Sequence, residues 1–207
     1  MKLKITLSFL LFTSFLYAQI SKEKTWEATA VKTVNISAEG VFKINVKNSS
    51  SKTLSLKARI EGENAQHLVI LDSISSETLF INSAYQPLFK NNNDKLSAHK
   101  VLSVEYDLSV PKHMILDIKS DIASVHVVGE YNYVFVESNQ GECSLKQFLG
   151  NATINTIDGN ITVQTNNAEV TAFSKTGVVQ LNQFKYGKFN INCHSINGNI
   201  HVSKTKN

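Results

Sequence analysis

The stretch Thr156-Ile157-Asp158-Gly159-Asn160-Ile161-Thr162-Val163 decides the fold, because its pattern occurs five times. Upstream lie Ser120-Asp121-Ile122-Ala123-Ser124-Val125-His126-Val127 and Ser138-Asn139-Gln140-Gly141-Glu142-Cys143-Ser144-Leu145. Downstream lie Ser174-Lys175-Thr176-Gly177-Val178-Val179-Gln180-Leu181 and Ser195-Ile196-Asn197-Gly198-Asn199-Ile200-His201-Val202. The copies start at 120, 138, 156, 174 and 195, so they are 18, 18, 18 and 21 residues apart. Each opens on Ser or Thr, and the fourth position is Ala once and Gly four times.

Reading down the columns gives the physics. The sixth position holds Val125, Cys143, Ile161, Val179 and Ile200, and the eighth holds Val127, Leu145, Val163, Leu181 and Val202. Between them stand His126, Ser144, Thr162, Gln180 and His201, so one face is dry and one wet with period two. Apolar residues also recur two and four positions before each start, as at Ile118 and Leu116 or Ile154 and Ala152. Each unit is therefore two short strands meeting at a Gly corner, where a missing Cβ allows a positive φ or a close backbone approach. Units this short bury their apolar face only by stacking. The expected fold is all-β, a β-solenoid of roughly 18–20 residues per coil with coils about 4.8 Å apart. The alternative is an antiparallel hairpin stack or β-sandwich, since Asp158-Gly159 and Asn197-Gly198 are also hairpin-turn dipeptides. Ile122-Ala123 and Thr176-Gly177 at the same place suit such a turn badly. Dense Asn (Asn151, Asn155, Asn160, Asn166, Asn167) suits hydrogen-bonded ladders between coils.

The N-terminal half is less regular. Ser37–Ile44 fits the template with Phe42 and Ile44 in the buried columns, and strand-like runs follow at Leu54–Ile60, Leu68–Leu71 and Thr78–Asn82. Gln86–Lys100 breaks the pattern as a loop, and Val101–Val110 resumes it as a strand ending at Pro111. No amphipathic helix of ordinary length is evident. Residues 19–100 read as irregular β coils continuous with the regular repeats of 101–207. Ahead of them, Lys2, Lys4, the apolar run Ile5–Leu16 and the Tyr17-Ala18-Gln19 junction read as a signal peptide over 1–18. The apolar run is shorter than the ~20 residues of a membrane span. The mature chain is expected outside the inner membrane, in the periplasm, on the cell surface or secreted, without stable membrane insertion.

Composition narrows the function. The formal charge is +4, and without Lys2 and Lys4 there are 19 basic against 17 acidic residues. Arg59 is the one Arg, so the bidentate forks that read phosphates and bases are nearly lacking, which argues against nucleic acid. Polar bulk comes from 21 Asn and 22 Ser, an uncharged hydrogen-bonding surface.

At Leu108-Ser109-Val110-Pro111, followed by Gly159-Asn160-Ile161-Thr162-Val163 and Gly198-Asn199-Ile200-His201-Val202, the chain resembles the bacterial putative-adhesin domains, exported β-solenoids related to the head GIN domain. The resemblance covers about residues 26–204. It implies a fold and an adhesin-like binding role in the cell envelope, and carries no catalytic residue over. Ala123 departs from it by replacing the corner Gly in the first clear unit.

Candidate chemistry is sparse. Cys143 and Cys193 fall in inward columns nearly three coils apart, about 14 Å, beyond the ~7 Å reach of a disulfide; two free, buried thiols are expected. His126 and His201 lie four coils apart, roughly 19 Å, too far for one metal. Asn91-Asn92-Asn93-Asp94 lacks the carboxylates of a calcium loop. Glu142 and Asp158 face out in different columns, and Glu105 with Asp107 forms a same-face pair without the clustered acids of a glycosidase. No catalytic residue, cofactor or metal is assigned, and no enzyme is expected. Tyr131, Tyr133 and Phe135 alternate on one strand opposite Val134 and Val136, and form the candidate binding surface as an exposed aromatic strip. The partner is left open between a surface polysaccharide and an envelope protein, the latter giving the chain a structural or regulatory role. A last coil at Ile200–Val202 is expected to leave open strand edges for self-association.

Overall fold

The computed structural model describes residues 20–38, 40–62, 64–89, 102–182, 184 and 187–205. The segment 1–18 read as a signal peptide, the Asn91–Asp94 run and most of the 86–100 stretch read as a loop lie outside them. The described chain is all-β, with β1 (Ile20–Glu27), β2 (Thr33–Ser37), β3 (Lys43–Asn48), β4 (Thr53–Glu61), β5 (Leu68–Ser75), β6 (Thr78–Tyr85), β7 (Ser103–Val110) and β8 (Ile115–Ser120). Then come β9 (Ser124–Ser138), β10 (Cys143–Thr156), β11 (Ile161–Thr165), β12 (Ala168–Ser174), β13 (Val179–Leu181), β14 (Phe189–Ser195) and β15 (Ile200–Lys204). Helical structure among these residues is confined to two 3₁₀ turns, Ala28–Ala30 and Ala65–His67.

The strands form two ranks around one apolar cluster. The first runs β1-β4-β7-β3-β9-β10-β11-β15-β13, and the second β5-β6-β2-β8-β9-β10-β14-β12. The long strands β9 and β10 serve both, bending at Gly129 (φ 115°) and at Gln147 (φ 48°) with Gly150 (φ 150°). The aliphatic columns become continuous rows. One reads Ala58, Tyr106, Ile44, Val125, Cys143, Ile161, Ile200, and each of these is buried. The second-rank row Ile81, Ile36, Ile118, Val136, Ile154, Cys193 is buried likewise. All pairings between the repeats are parallel, and antiparallel pairing is confined to β1–β4, β4–β7 and β5–β6. The hairpin reading of the Asp158-Gly159 and Asn197-Gly198 corners is thereby overturned, because the strands meeting at each corner enter different ranks.

The units do not stack in chain order. Unit five (β14, Gly198, β15) lies between unit three (Gly159, β11) and unit four (β12, Gly177, β13). At the other end β2 and β3 likewise intervene between β6 with β7 and β8 with β9. Three expectations are corrected as a result. Cys143 and Cys193 are two rungs apart rather than nearly three, and both remain free and buried. Burial pushes the Cys193 thiol up to about 12 and Cys143 upward too, with Cys193 adding to the shift. His126 and His201 are three rungs apart, not four. The open edge is β13 and β12, whereas β15 is enclosed between β11 and β13. In the N-terminal unit, Phe42 is also corrected: it is exposed, while Ile44 and Val46 pair with Val125 and Val127. The Ala38-to-Ile44 corner holds one residue more than the Ser120-to-Val125 corner it stacks on.

The Ser/Thr at the head of each unit closes its corner. Ser195 Oγ accepts from Gly198 N at 2.8 Å, Ser174 Oγ from Gly177 N at 3.0 Å and Ser120 Oγ from Ala123 N at 3.0 Å. Thr156 Oγ1 donates to Gly159 O at 2.7 Å within its own corner. The hydroxyls also tie rungs together, Thr156 Oγ1 sharing a 2.9 Å bond with Ser195 Oγ and Ser174 Oγ donating to Gly198 O at 2.8 Å. Asn side chains form the expected ladder, with Asn199 N donating to Asn160 Oδ1 and Val178 N to Asn199 Oδ1, each at 2.8 Å.

The β1/β5 end of the stack is plugged by charge. Lys22 and Lys24 continue the two inner rows of the first rank, and Asp72 continues one of the second. Lys22 Nζ donates to Leu68 O, Lys24 Nζ to Ile70 O at 2.9 Å and to Asp72, and Trp26 Nε1 to Asp72 Oδ2 at 2.7 Å. Inward lysines are a known block to edge pairing. The Lys24 ammonium, with Trp26 behind it, holds the Asp72 carboxyl below its ordinary 3.8. A lowered folded pKa stabilises the fold fully above the unfolded value, and that contribution is lost as pH falls through the folded one. Asp72→Asn should therefore flatten the dependence of urea stability on pH below about 4 relative to the parent chain.

Candidate binding surface

Outward positions make a second set of rows. On the first rank one row crosses nine strands as Glu23, Lys57, Asp107, Asn45, His126, Ser144, Thr162, His201 and Gln180. Every member carries a side chain able to hydrogen-bond, and all but the buried Ser144 reach the surface. Over β1, β4, β7, β3 and β9 this face encloses a groove of 560 Å³ lined by Thr25, Ser55, Lys57, Asp107, Asn45, Lys47 and His126 among others.

Charges in and beside the groove largely neutralise one another. Lys57 Nζ lies 3.3 Å from Glu23 Oε1, and Arg59 reaches Glu105 at 2.5 Å and Asp107 at 2.6 Å. Asn45 Nδ2 donates to the other oxygen of Asp107 at 2.7 Å. The Glu105/Asp107 pair is thus an Arg59-centred bridge between β4 and β7, with the two carboxylates held side by side rather than across a cleft. His126 Nε2 lies 3.7 Å from Glu142 Oε1. Burial, followed by Lys43 and Lys146, lowers its pKa against the pull of Glu142. Among the described residues, no three His, Cys, Asp or Glu side chains gather as a metal site. Asp158 accepts from Asn197 Nδ2 at 2.6 Å, a rung-to-rung contact away from Glu142.

The aromatic strip lies on the outer face of the second rank and is shorter than expected. Tyr131 is corrected: its side chain is buried, stacks on Phe148 at 6.2 Å between centroids and donates to Val128 O at 3.1 Å. Tyr131 keeps the inward phase of Val125 and Val127, and a register shift between β9 and β10 at Glu130–Tyr133 slips the alternation, so Asn132 and Tyr133 both point outward. Burial raises the Tyr131 phenol far above its usual range. Tyr133, 36% exposed, donates to Thr153 Oγ1 at 2.8 Å, and Phe135 is half-buried with Lys119 Nζ 5.9 Å from its centroid. Sequence reading missed Phe80, which is exposed and joins the row Phe80, Asn35, Asp117, Phe135. Its alternation with Leu79 and Ile81 marked it as outward, but only the rung order brings it near Phe135. Asn35 Nδ2 donates to Asp117 Oδ2 at 2.7 Å between the two rings.

Among solved structures, a putative cell adhesion protein from Clostridium sporogenes superimposes with a TM-score of 0.67 at 17% identity, covering 91% of this chain and 100% of its own. A putative adhesin from Bacteroides fragilis gives 0.43 at 13%, covering 90% and 99%. One from Parabacteroides distasonis gives 0.32 at 12%, covering 90% and 98%. No protein-family model matches the sequence, and no curated protein does. None of the described helices is long and apolar enough to cross a membrane. The resemblance read from the Gly-centred repeats and the overlap with the Clostridium structure agree on one point: this chain has the fold of that putative cell adhesion protein.

Proposed function

We propose that the chain is an exported, non-enzymatic binding module of the cell envelope that holds a neutral, hydroxyl-rich polysaccharide across the first-rank groove. The observation supporting this is the outward row that presents a hydrogen-bonding side chain at every strand but β10, where Ser144 is buried, while its ions are paired with one another or with Arg59. A paired-off surface offers a weak net field but many donors and acceptors, which suits hydroxyls better than phosphates or sulfates. Both acids that line the groove are held by a basic partner, Asp107 by Arg59 and Glu23 by Lys57, which favours binding over glycoside hydrolysis. Within this reading the chain is one β-solenoid domain behind its signal segment, because core rows run unbroken from the N-terminal strands into the repeats.

A glycan array probed with the mature chain should return neutral oligosaccharides. Replacing Lys47 and Lys57 together with Ala should weaken them about tenfold, the loss of two ordinary hydrogen bonds. Array binding untouched by both changes would remove the groove from the proposal. A second reading rests on Phe80, Tyr133 and Phe135, whose exposed aromatic area suits a protein partner. Tyr133→Ala with Phe135→Ala would abolish that contact and leave glycan binding alone.

A further inference from the structure

The two ends of the stack are built differently. In the first rank the inner rows start on Lys22 and Lys24 at β1 and finish on Val179 and Leu181 at β13. Those two lie in the same columns as Ile200 and Val202, which are 1% and 0% exposed, yet they are 37% and 44% exposed because no described strand is stacked over them. In the second rank the rows finish on Val170 and Ala172 of β12, both only partly buried. Val178 and Phe173 widen the apolar rim. The plugged end carries a device against further pairing, and the described residues of the open end show none.

We propose that this open end docks onto the same end of a second copy, forming a closed two-fold dimer through β12 and β13. Like-on-like stacking of aliphatic rows already covers every internal rung, and a second copy supplies the same rows. Charge fits this occupant as well. Antiparallel pairing of β12 with its mate, centred on Ala172, sets Glu169 opposite the mate's Lys175 and Lys175 opposite the mate's Glu169. Both are exposed and neither makes an ion pair among the described residues. The described end of β15 stays on the β11 side of the stack, Thr205 N continuing the ladder to Thr165 O, and does not cover this edge. Head-to-tail growth is blocked by Lys22 and Lys24, so the assembly closes at two.

Sedimentation velocity over a concentration series tests this on the mature chain. A monomer–dimer equilibrium is expected, without larger species. Val179→Lys with Leu181→Lys, which copies onto this end the lysines of the other, should give monomer at all concentrations with an unchanged melting temperature. Glu169→Lys alone and Lys175→Glu alone should each weaken the dimer about tenfold, and the two together should restore it. A wild-type chain monomeric at 100-fold the concentration needed for detection would overturn the proposal. So would a dimer indifferent to the lysines, a failed restoration by the double exchange, or growth into filaments.

Discussion

Replacing Ile161 with Asn is expected to cost about 5 kcal/mol, whereas Thr162→Asn next to it should stay within about 0.5 kcal/mol. Ile161 is fully buried in the row between Cys143 and Ile200, with an apolar rung on either side. Truncation there forfeits about 2–5 kcal/mol of packing, and the new amide finds no partner among aliphatic neighbours, adding about 1–3 kcal/mol. That total reaches the lower range of a domain's whole stability, about 5–15 kcal/mol, so the variant should unfold at low urea or fail to accumulate. Thr162 points outward between Ser144 and His201, where an amide meets water and other polar groups. Urea midpoints at constant m-value separate the two cases. Equal losses would mean that the inward and outward columns are wrongly assigned.

That contrast was legible in the sequence because strand alternation depends on nearest neighbours along the chain. Val125, Val127, Ile161, Val163, Ile200 and Val202 all face the core as their columns require. The order of the rungs was not legible, and the reason is physical. Every unit offers the same aliphatic pair beside the same corner, so columns specify which residues face inward but not which unit lies alongside. One trace existed: unit five starts 21 residues after unit four instead of 18, and the extra length falls in the crossing from β13 back to β14. Tyr131 was misread for a different cause. Period-two counting holds only along an unbroken strand: Tyr131 keeps the phase of Val125 and Val127, and the register shift between Glu130 and Tyr133 resets the count before Val134. The inward placement of Lys22 and Lys24 had no signal in the sequence, because an inward Lys is tolerable only on a terminal strand, where its ammonium reaches free carbonyls, and β1 was not recognisable as terminal. The candidate surface suffered most from the hidden order, since the row linking Phe80 to Phe135 runs through β2 and β8.

The corner glycines allow rung order itself to be tested by stability. A Cβ on Gly159 would approach the Gly141 carbonyl oxygen closer than 3.0 Å, one on Gly198 would meet Gly159 O in the same way, and one on Gly177 would meet Gly198 O. The obstruction is backbone in each case, so no side chain can swing aside; the glycines are required by close approach rather than by φ. For Gly159 and Gly198, rungs on both sides prevent the corner from moving, and Ala should cost about 3 kcal/mol or more. Gly177 belongs to the outermost rung, which is free to lift away on its open side, so Gly177→Ala should cost only about 1 kcal/mol. Gly40, with φ +69° and nothing within 4 Å of its Cβ, isolates the purely conformational penalty, about 1–2 kcal/mol. Had the units stacked in chain order, unit five would be the outer one and the ranking would invert, Gly198→Ala becoming mild and Gly177→Ala severe. Four alanine variants compared by urea midpoint therefore distinguish an inserted fifth unit from an appended one. Measured at a concentration low enough to keep the chain monomeric, they do so without contribution from pairing at the β12/β13 edge.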